Sequence, residues 1–326
     1  MTGQLIDPRA FARLRARRAE RARRARAARH LRVGAIFAER YRILGVAGRG
    51  GFATVYRVSD LLRRNSGFAH SQLAFKVPSR RDASGLAMIQ REAQLLAALS
   101  HPRIVAFHDI LRGPANLPFI ISMEWLSGTT LRQLLRDASG RQLVAKRAPA
   151  LIADAAAALA HLHDQGFIHG DVKPGNFIML PDARLRMIDL ATCLALPDCP
   201  MPAGSALATL PTPPLEAFTP RYASPQRSDG AQPDRRDDVY SLAVLAYELI
   251  SGSHPFGRQG CREADTAPER LDDLDRRAWS VLSAALSFDA GDRPQHPAAV
   301  AEALRSTGRR HVWRWSGRVR KAADRS

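Results

Sequence analysis

Hydrophobic and polar positions alternate in short runs through the first third of the chain, a pattern typical of β-strands. One strand pattern opens at Tyr41 and reaches the glycines of residues 48–51, and it resumes around Val55. A further run, residues 73–77, is apolar apart from Lys76. The pattern predicts strands here, with a glycine-rich turn between the first two.

The apolar periodicity changes to helical spacing in residues 85–99, a predicted helix that carries Glu92. Lys76 stands in an apolar strand, where burying an unpaired charge costs several kcal/mol. Glu92 is therefore the predicted acidic partner of Lys76. Late in the chain, helical spacing recurs in three large apolar residues that are predicted to be core: Trp279, Leu282 and Leu286.

Length and composition indicate a folded globular protein. The chain has 326 residues, roughly twice a typical domain of ~150. With 45% hydrophobic and 25% charged residues, wholesale disorder is excluded. No apolar run approaches the ~18 residues of a membrane-spanning helix. The arginine-rich start, with no apolar stretch behind it, argues against a secretory signal. One large domain, or two lobes sharing a core, is expected.

Cysteine usage indicates the compartment. The three cysteines, Cys193, Cys199 and Cys261, are an odd number without Cys-x-x-Cys spacing. This pattern indicates neither a disulfide framework nor a zinc site. A reducing compartment fits cysteines of this kind, so the expected location is cytoplasmic.

The formal charge of +18 is concentrated at the two ends of the chain. Residues 1–32 hold eleven arginines against two acids, residues 305–326 hold eight bases against one acid, and residues 33–304 carry only +2. Two interpretations stay open. The tails contact nucleic acid, an anionic membrane surface or an acidic protein, or they are charged extensions without such a partner. Trp313 and Trp315, interleaved with bases, suit an interface and equally suit packing on the domain.

One predicted loop, His169-Gly-Asp-Val-Lys-Pro-Gly-Asn, holds several potentially reactive side chains close together. It offers an acid, a base and an amide within six residues: Asp171, Lys173 and Asn176. A second acid, Asp189, follows the next hairpin. A carboxylate can accept the proton of an attacking hydroxyl, a lysine can neutralise a transferring phosphoryl group, and amide and carboxylate oxygens are ligands that Mg²⁺ prefers.

These motifs and their order carry a resemblance to a known family. A glycine-rich turn between strands lets the backbone approach phosphates, although most such hairpins are only tight turns. With the loop at 169–176 and the acid at 189, the stretch of about 37–304 resembles the protein kinases, and among them the bacterial-type serine/threonine kinases.

The resemblance implies an α+β, two-lobed protein-kinase-like fold with ATP bound between the lobes. The small lobe, β-rich with one helix, is expected at about 37–124, and the larger helical lobe at about 128–304. The kinase domain as a whole is expected at 35–305, between basic extensions at 1–34 and 306–326.

Nucleotide-binding roles follow from the resemblance, residue by residue. The glycine-rich loop over the phosphates matches at four residues: Gly48, Gly50, Gly51 and Val55. Lys76 matches the lysine that binds the α and β phosphates, and Glu92 matches its helical partner. The hinge that meets adenine through its backbone resembles Met123–Leu126, with Glu124 and Leu126 as the contacting residues.

The catalytic and metal-binding roles are assigned in the same way. Asp171 matches the catalytic acid, Lys173 the lysine of serine/threonine kinases, and Thr219 a threonine that hydrogen-bonds near both. Asn176 and Asp189 match the two Mg²⁺ ligands. The implied enzyme is a serine/threonine protein kinase that transfers the γ-phosphate of Mg-ATP to protein hydroxyls.

Two departures from the family pattern concern the nucleotide and metal motifs. Ala53 stands where the third glycine of the loop is usual, a small change that the loop is expected to tolerate. Leu190-Ala191 follows Asp189 in place of Phe-Gly. Leu190 is expected to keep the apolar packing, whereas Ala191 restricts the backbone freedom that glycine has.

Two further departures concern the activation segment. Gly170 replaces an arginine that receives the phosphate of that segment in the family, so phosphorylation of Thr209 or Thr212 is not expected to be required. Gln226 replaces a glutamate that pairs with the arginine matching Arg293. A buried arginine without an anion costs up to about 3–5 kcal/mol, and Gln226 is expected to reduce this by accepting a hydrogen bond.

Two alternative functions stay open from the sequence. An ATP-binding pseudokinase would use the same fold as a scaffold, but the groups that touch ATP, metal and hydroxyl are all present, which favours an active enzyme. A small-molecule phosphotransferase, similar to those for aminoglycosides or choline, shares the His-Gly-Asp and the asparagine. Those relatives generally lack the stretches 219–225 and 238–241, which shape a peptide-binding surface.

Overall fold

The computed structural model describes residues 31–68, 70–79, 82–113, 119–197, 199, 217–257 and 267–307. Most of both basic extensions lies outside the described residues, including Trp313 and Trp315. So do Cys261 and the two threonines of the activation segment, Thr209 and Thr212.

The described residues form two compact units. The first comprises those up to Ile89 and those of Phe107–Trp125, and the second comprises those of Gln90–Ala106 and those from Leu126 onward. The stretch expected as a small lobe is therefore interrupted by residues 90–106. The division falls inside a helix, so Lys76 belongs to the first unit and Glu92 to the second.

The first unit is built on a six-stranded antiparallel sheet in the order β1-β2-β3-β4-β6-β5. Its strands are β1 (Ile36–Phe37), β2 (Tyr41–Arg49), β3 (Ala53–Asp60), β4 (Gln72–Pro78), β5 (Phe107–Leu111) and β6 (Ile120–Glu124). β4 pairs with β3 on one side and β6 on the other, and six of its seven residues are buried. This explains its nearly continuous apolar sequence. One cluster forms the core: Leu31, Tyr41, Ile43, Tyr56, Val58, Leu73, Phe75, Val77 and Ile120.

Two helices begin in the first unit. α1 (Leu61–Asn65) is a short helix that the sequence pattern did not indicate. It begins at Asp60, whose buried carboxylate accepts hydrogen bonds from the amide of Leu62 (3.0 Å) and the guanidinium of Arg40. α2 (Ala83–Ala98) agrees within two residues at each end with the helix predicted over 85–99.

The second unit is mainly helical. Its helices are α3 (Leu131–Leu134), α4 (Ala138–Asp164), α5 (Pro225–Ser228), α6 (Arg235–Ser251), α7 (Arg276–Ala285) and α8 (Ala298–Thr307). Its short strands are β7 (Thr129–Thr130), β8 (Phe167–Ile168), β9 (Phe177–Met179), β10 (Leu185–Met187) and β11 (Leu194–Ala195). The α+β architecture expected from the resemblance is confirmed.

The helices of the second unit pack around a continuous apolar core. α4 packs against α6 and α8, and α7 packs against α8. Residues 237–247 of α6 are all buried, which makes it the central helix of the unit. Leu282 and Leu286 are core residues as predicted, each 1% exposed, whereas Trp279 is only partly buried.

Within the described ranges, no helix has both the length and the apolar character that crossing a lipid bilayer requires.

Candidate active site

The sheet of the first unit brings three of the predicted nucleotide-binding residues into one row. Gly48 on β2 pairs with Val55 on β3, and Val55 pairs in turn with Lys76 on β4. Lys76 is 5% exposed and has Ile121 of β6 on its other side. The row follows from strand register, because residues opposite each other on neighbouring strands are held about 5 Å apart.

The turn between β2 and β3 is a tight hairpin with an open outer face. The amide of Gly50 donates to the carbonyl of Ala53 across the turn, at 2.8 Å. Among the described residues, apart from its chain neighbours, a Cβ built on Gly48 or Gly51 meets no atom within 4 Å. Packing inside the protein therefore does not demand these glycines, and their backbone is open to a ligand. Ala53, the departure from the family pattern, is buried at the start of β3.

The candidate catalytic residues lie on a loop of the second unit, between β8 and β9. β8 pairs with β11, and β9 pairs with β10, so both ends of the loop are held in short sheets. The loop ends in a 3-10 turn at Pro174–Asn176. Two short ladders thus set the position of the polar residues between them.

Asp171, Lys173 and Thr219 form one hydrogen-bonded cluster. The Lys173 ammonium donates to Oδ2 of Asp171 and to the Thr219 hydroxyl, the latter at 2.7 Å. The Thr219 amide donates to Oδ1 of Asp171 at 2.9 Å. Asp171 is 8% exposed. The structure therefore brings together all three residues predicted to be catalytic, although Thr219 is far from the loop in sequence.

The two predicted metal ligands, Asn176 and Asp189, are connected to this loop through the backbone. The side-chain Nδ2 of Asn176 donates to the backbone carbonyl of Asp171 at 2.9 Å. The side-chain oxygen, Oδ1, of Asn176 therefore points away from that carbonyl. The backbone carbonyl of Asn176 accepts a hydrogen bond from the amide of Ile188 at 3.0 Å. Asp189 is the next residue after Ile188, so its backbone lies close to that of Asn176. Both donors are hard oxygen atoms, which suits Mg²⁺.

The donor set also fits the way Mg²⁺ is usually held. No group of three or more His, Cys, Asp or Glu side chains able to hold a metal ion occurs among the residues that the structure describes. Mg²⁺ is commonly bound by one or two carboxylates together with substrate phosphates, so an all-protein cage is not needed. Two protein ligands, Asn176 and Asp189, are consistent with that arrangement.

The Asp189-Leu190-Ala191 triplet is accommodated without backbone strain. Leu190 is fully buried, as expected for its packing role, and its amide donates to Oε1 of the buried Glu92 at 3.4 Å. Among described non-glycine residues, positive φ occurs only at Ala38, Glu39 and Ala183. Ala191 therefore takes an ordinary backbone conformation that does not require glycine.

The pairing of Lys76 with Glu92 stays a prediction, because the two residues belong to different units. The two hinge residues are also divided between the units. Glu124 ends β6 and pairs with Leu73, and Leu126 is a buried residue of the second unit.

Asp238 anchors the candidate catalytic loop, residues 169–176, a role that the sequence did not reveal. Its carboxylate is fully buried and accepts from the amides of His169 (2.7 Å) and Gly170 (2.9 Å) and from Nε2 of His163 (2.9 Å). Burial acts to raise the pKa of Asp238, but these hydrogen bonds outweigh it and hold that pKa below its ordinary value. Asp238 stands in the charged start of α6, Arg-Arg-Asp-Asp, where its residue type alone does not mark it as an anchor of the loop.

Gly170 adopts a backbone conformation that favours glycine. Its φ is +73°, a region that residues with a side chain rarely adopt. A Cβ at this position would lie 3.1 Å from the carbonyl oxygen of Thr192. The amide of Gly170 donates to Asp238 in this conformation.

Gln226 takes the place of the missing glutamate by hydrogen bonding. Its Oε1 accepts from Nη2 of Arg293 at 2.7 Å, and its Nε2 donates to the carbonyl of Phe288 at 2.7 Å. Arg293 is 3% exposed and also donates to the carbonyl of Ser287 at 2.8 Å. The prediction that Gln226 accepts a hydrogen bond from this arginine is confirmed.

Replacing Gln226→Ala is expected to lower the free energy of unfolding by about 1.5–3 kcal/mol, because a hydrogen bond to a buried charged group is lost. Denaturant titration measures the change. The matched control is Gln295→Ala, which alters an exposed glutamine and should stay within about 0.5 kcal/mol of wild type. Equal effects of the two variants would contradict this role of Gln226.

The residues after Thr219 are tied to α6 by a second buried link that the sequence did not indicate. The Tyr222 hydroxyl donates to Glu248 at 2.6 Å, and the Ser241 hydroxyl donates to the Tyr222 carbonyl at 2.7 Å. Burial raises the pKa of both Tyr222 and Glu248. Nearby, burial lowers the pKa of His254 to about 4. The segment that carries Thr219 is therefore fixed to the core of the second unit.

Comparison with known proteins adds an independent finding. A family model described as the protein kinase domain matches residues 41–304. The serine/threonine-protein kinase PknB of Mycolicibacterium smegmatis is 34% identical over 280 residues, which is 81% of this chain and 42% of the relative. PknB of Mycobacterium tuberculosis is 35% identical over 225 residues, 67% of this chain and 33% of the relative.

A probable serine/threonine-protein kinase of Streptomyces coelicolor is 33% identical over 244 residues, 72% of this chain and 34% of the relative. The chain therefore spans about a third to two fifths of the length of these curated relatives.

Proposed function

The chain belongs to the protein kinase family, and on this premise we propose that it is an enzyme transferring the γ-phosphate of Mg-ATP to serine or threonine hydroxyls of proteins. The observation that carries the proposal is the cluster of Asp171, Lys173 and Thr219. It presents a carboxylate and an ammonium side by side, which is the pair of charges that hydroxyl attack on a phosphoryl group needs.

In the proposed reaction, Asp171 orients the substrate hydroxyl and accepts its proton. Lys173 offsets the negative charge that develops on the transferring phosphoryl group. Thr219 fixes the geometry of the directly hydrogen-bonded pair, because its amide donates to Asp171 while its hydroxyl accepts from Lys173. Phosphoryl transfer is mostly positioning and electrostatics, so this preorganisation supports catalysis.

On the nucleotide side, Lys76 would bind the α and β phosphates and the open backbone of the hairpin at residues 48–51 would cover them. Asn176 and Asp189 would hold Mg²⁺. A metal ion held there would supply positive charge that offsets the charge of the phosphates.

Labelled γ-phosphate from Mg-ATP tests the proposal directly. The wild-type chain should label itself or a general protein substrate, and acid hydrolysis of the product should release phosphoserine or phosphothreonine. Absence of transfer, with ATP binding still detected by thermal shift, would instead favour a nucleotide-binding scaffold. Transfer to an aminoglycoside or choline and not to protein would favour a small-molecule phosphotransferase.

We further propose that transfer does not depend on a phosphate on the activation segment. Gly170 supports this, since it offers no side chain to receive that phosphate and its backbone is committed to Asp238. The double variant Thr209→Ala/Thr212→Ala is expected to keep kcat within about twofold of wild type.

Thr219→Ala is the control in the same segment. It removes the hydroxyl that accepts from Lys173 and should lower kcat about tenfold or more. Loss of activity in the Thr209/Thr212 double variant, or after phosphatase treatment of the wild type, would contradict independence from phosphorylation.

A further inference from the structure

Arg227 is a buried arginine of the second unit with no part in the chemistry described above. It lies on α5 and is 2% exposed. Its Nε and Nη1 atoms find no hydrogen-bond partner among the residues that the structure describes. Burying a guanidinium in this way is costly unless the charge is used, so the position calls for an explanation.

The backbone of Arg227 is held rigidly. Its amide donates to the hydroxyl of Ser224 at 3.0 Å, which caps the short helix. The same hydroxyl donates to Asp237 at 2.6 Å, and Asp237 in turn closes the capping box at the start of α6 with Asp234. These hydrogen bonds through Ser224 connect α5, which carries Arg227, to the start of α6.

The guanidinium lies over an aromatic ring that adjoins the catalytic cluster. Its central carbon is 5.1 Å from the ring centre of the half-buried Phe218. Phe218 directly precedes Thr219, whose amide donates to Asp171. A cation–π contact is strongest when the cation is desolvated, which is the condition of Arg227.

The charges around Arg227 favour its ionised form. Burial lowers the pKa of Arg227, while the carboxylates of Asp237, Asp238 and Asp171 act to raise it. A guanidinium stays protonated in proteins even so. The carboxylates of Asp237, Asp238 and Asp171 therefore act electrostatically on this cation, which lies over the ring of Phe218.

We propose that Arg227 is a positioning residue: its guanidinium holds the ring of Phe218 and thereby keeps Thr219 in place on Asp171 and Lys173. This assignment rests on the proposed phosphoryl transfer for its effect on rate, while its structural effect does not depend on any activity. Neither Arg227 nor Phe218 matches a position to which the family resemblance assigns a role.

Amide hydrogen exchange tests the structural part on the full chain. The Thr219 amide should exchange about tenfold faster in Arg227→Met and in Phe218→Leu, since each change removes one side of the cation–π contact. Arg227→Lys keeps a cation and Phe218→Tyr keeps a ring, so both should stay within about threefold of wild type. Unchanged exchange in Arg227→Met would overturn the proposal, whether or not the chain is an active kinase.

A double-variant cycle tests the effect on rate. Each single change, Arg227→Met or Phe218→Leu, should lower kcat about tenfold with little change in the KM for ATP. The double variant should also lose about tenfold, because the two side chains act through one contact. A loss near a hundredfold in the double variant would mean independent effects and would overturn the proposal.

The matched control is Arg236→Met. Arg236 is a partly buried arginine of the same unit whose Nε likewise finds no partner among the described residues. The Arg236→Met substitution should leave both the exchange rate of the Thr219 amide and kcat within about twofold of wild type. An inactive wild type would reject the proposed function and leave the exchange measurement to decide the role of Arg227. If the wild type is active and the double variant loses about a hundredfold in kcat, the role of Arg227 is rejected and the proposed function stands.

Discussion

Asp171→Asn is expected to lower the rate of phosphoryl transfer by about 10³-fold or more, with nucleotide binding unchanged. The asparagine oxygen can still accept from the Thr219 amide, but the new side-chain amide faces the Lys173 ammonium, donor against donor. The proton acceptor and the orientation of Lys173 are therefore lost together. Steady-state transfer of labelled phosphate, with ATP affinity measured in parallel, checks both parts of the expectation.

Asp182→Asn is the matched control for this substitution. It makes the same chemical change at an exposed aspartate in the turn between β9 and β10, where Asp182 pairs with Arg184. Its rate should equal that of wild type. Full activity in Asp171→Asn would show that the assigned roles are wrong, and loss of ATP binding in that variant would place Asp171 in the nucleotide site.

Asp238→Ala is expected to lower the free energy of unfolding by about 3–5 kcal/mol, a large share of the total stability of a typical domain. The carboxylate accepts three hydrogen bonds inside the protein, and its removal leaves the amides of His169 and Gly170 buried without an acceptor. Each such group costs about 1–3 kcal/mol. The catalytic loop should loosen with it, so kcat should fall as well.

Denaturant titration of Asp238→Ala, with the exposed Asp272→Ala as control, measures this effect. The pH dependence gives a second measurement. Because the folded-state pKa of Asp238 lies below its ordinary value, its contribution is fully present above about pH 4, the unfolded value, and is lost as the pH falls through the folded pKa. The alanine variant should lack this component of acid unfolding. Wild-type stability in Asp238→Ala would contradict the anchoring role.

Local sequence was sufficient to predict the site and the elements wherever residues close along the chain are also close in the folded protein. Asp171, Lys173 and Asn176 lie within one loop, so a motif of six residues already implied that their side chains meet. The apolar pattern around Lys76 and the helical spacing over residues 85–99 also depend only on nearby residues. The structure has a strand at the first place and a helix at the second. The hydrogen bond between Gln226 and Arg293 was predictable only because the family resemblance had paired the two positions.

Contacts between distant parts of the chain were not predictable in this way. Asp238 lies 69 residues from His169 along the sequence, and nothing in the run Asp-Val-Tyr-Ser says which backbone donors its carboxylate will accept. In the sequence Gly170 is the loss of an arginine, whereas the structure shows a residue with a φ of +73° whose amide donates to Asp238. The short helix α1 was also missed, since five residues are too few for a helical period to show.

The sequence by itself determined the strands at residues 41–58 and 73–77, the helix over 85–99, the reactive side chains of the loop at 169–176 and the family to which they point. These depend on residue type and on spacing along the chain. The tertiary structure alone decided which buried charges serve the site. A carboxylate such as Asp238 or a guanidinium such as Arg227 gains its role from the donors, rings and charges that packing places around it, and packing joins residues without regard to their distance in sequence.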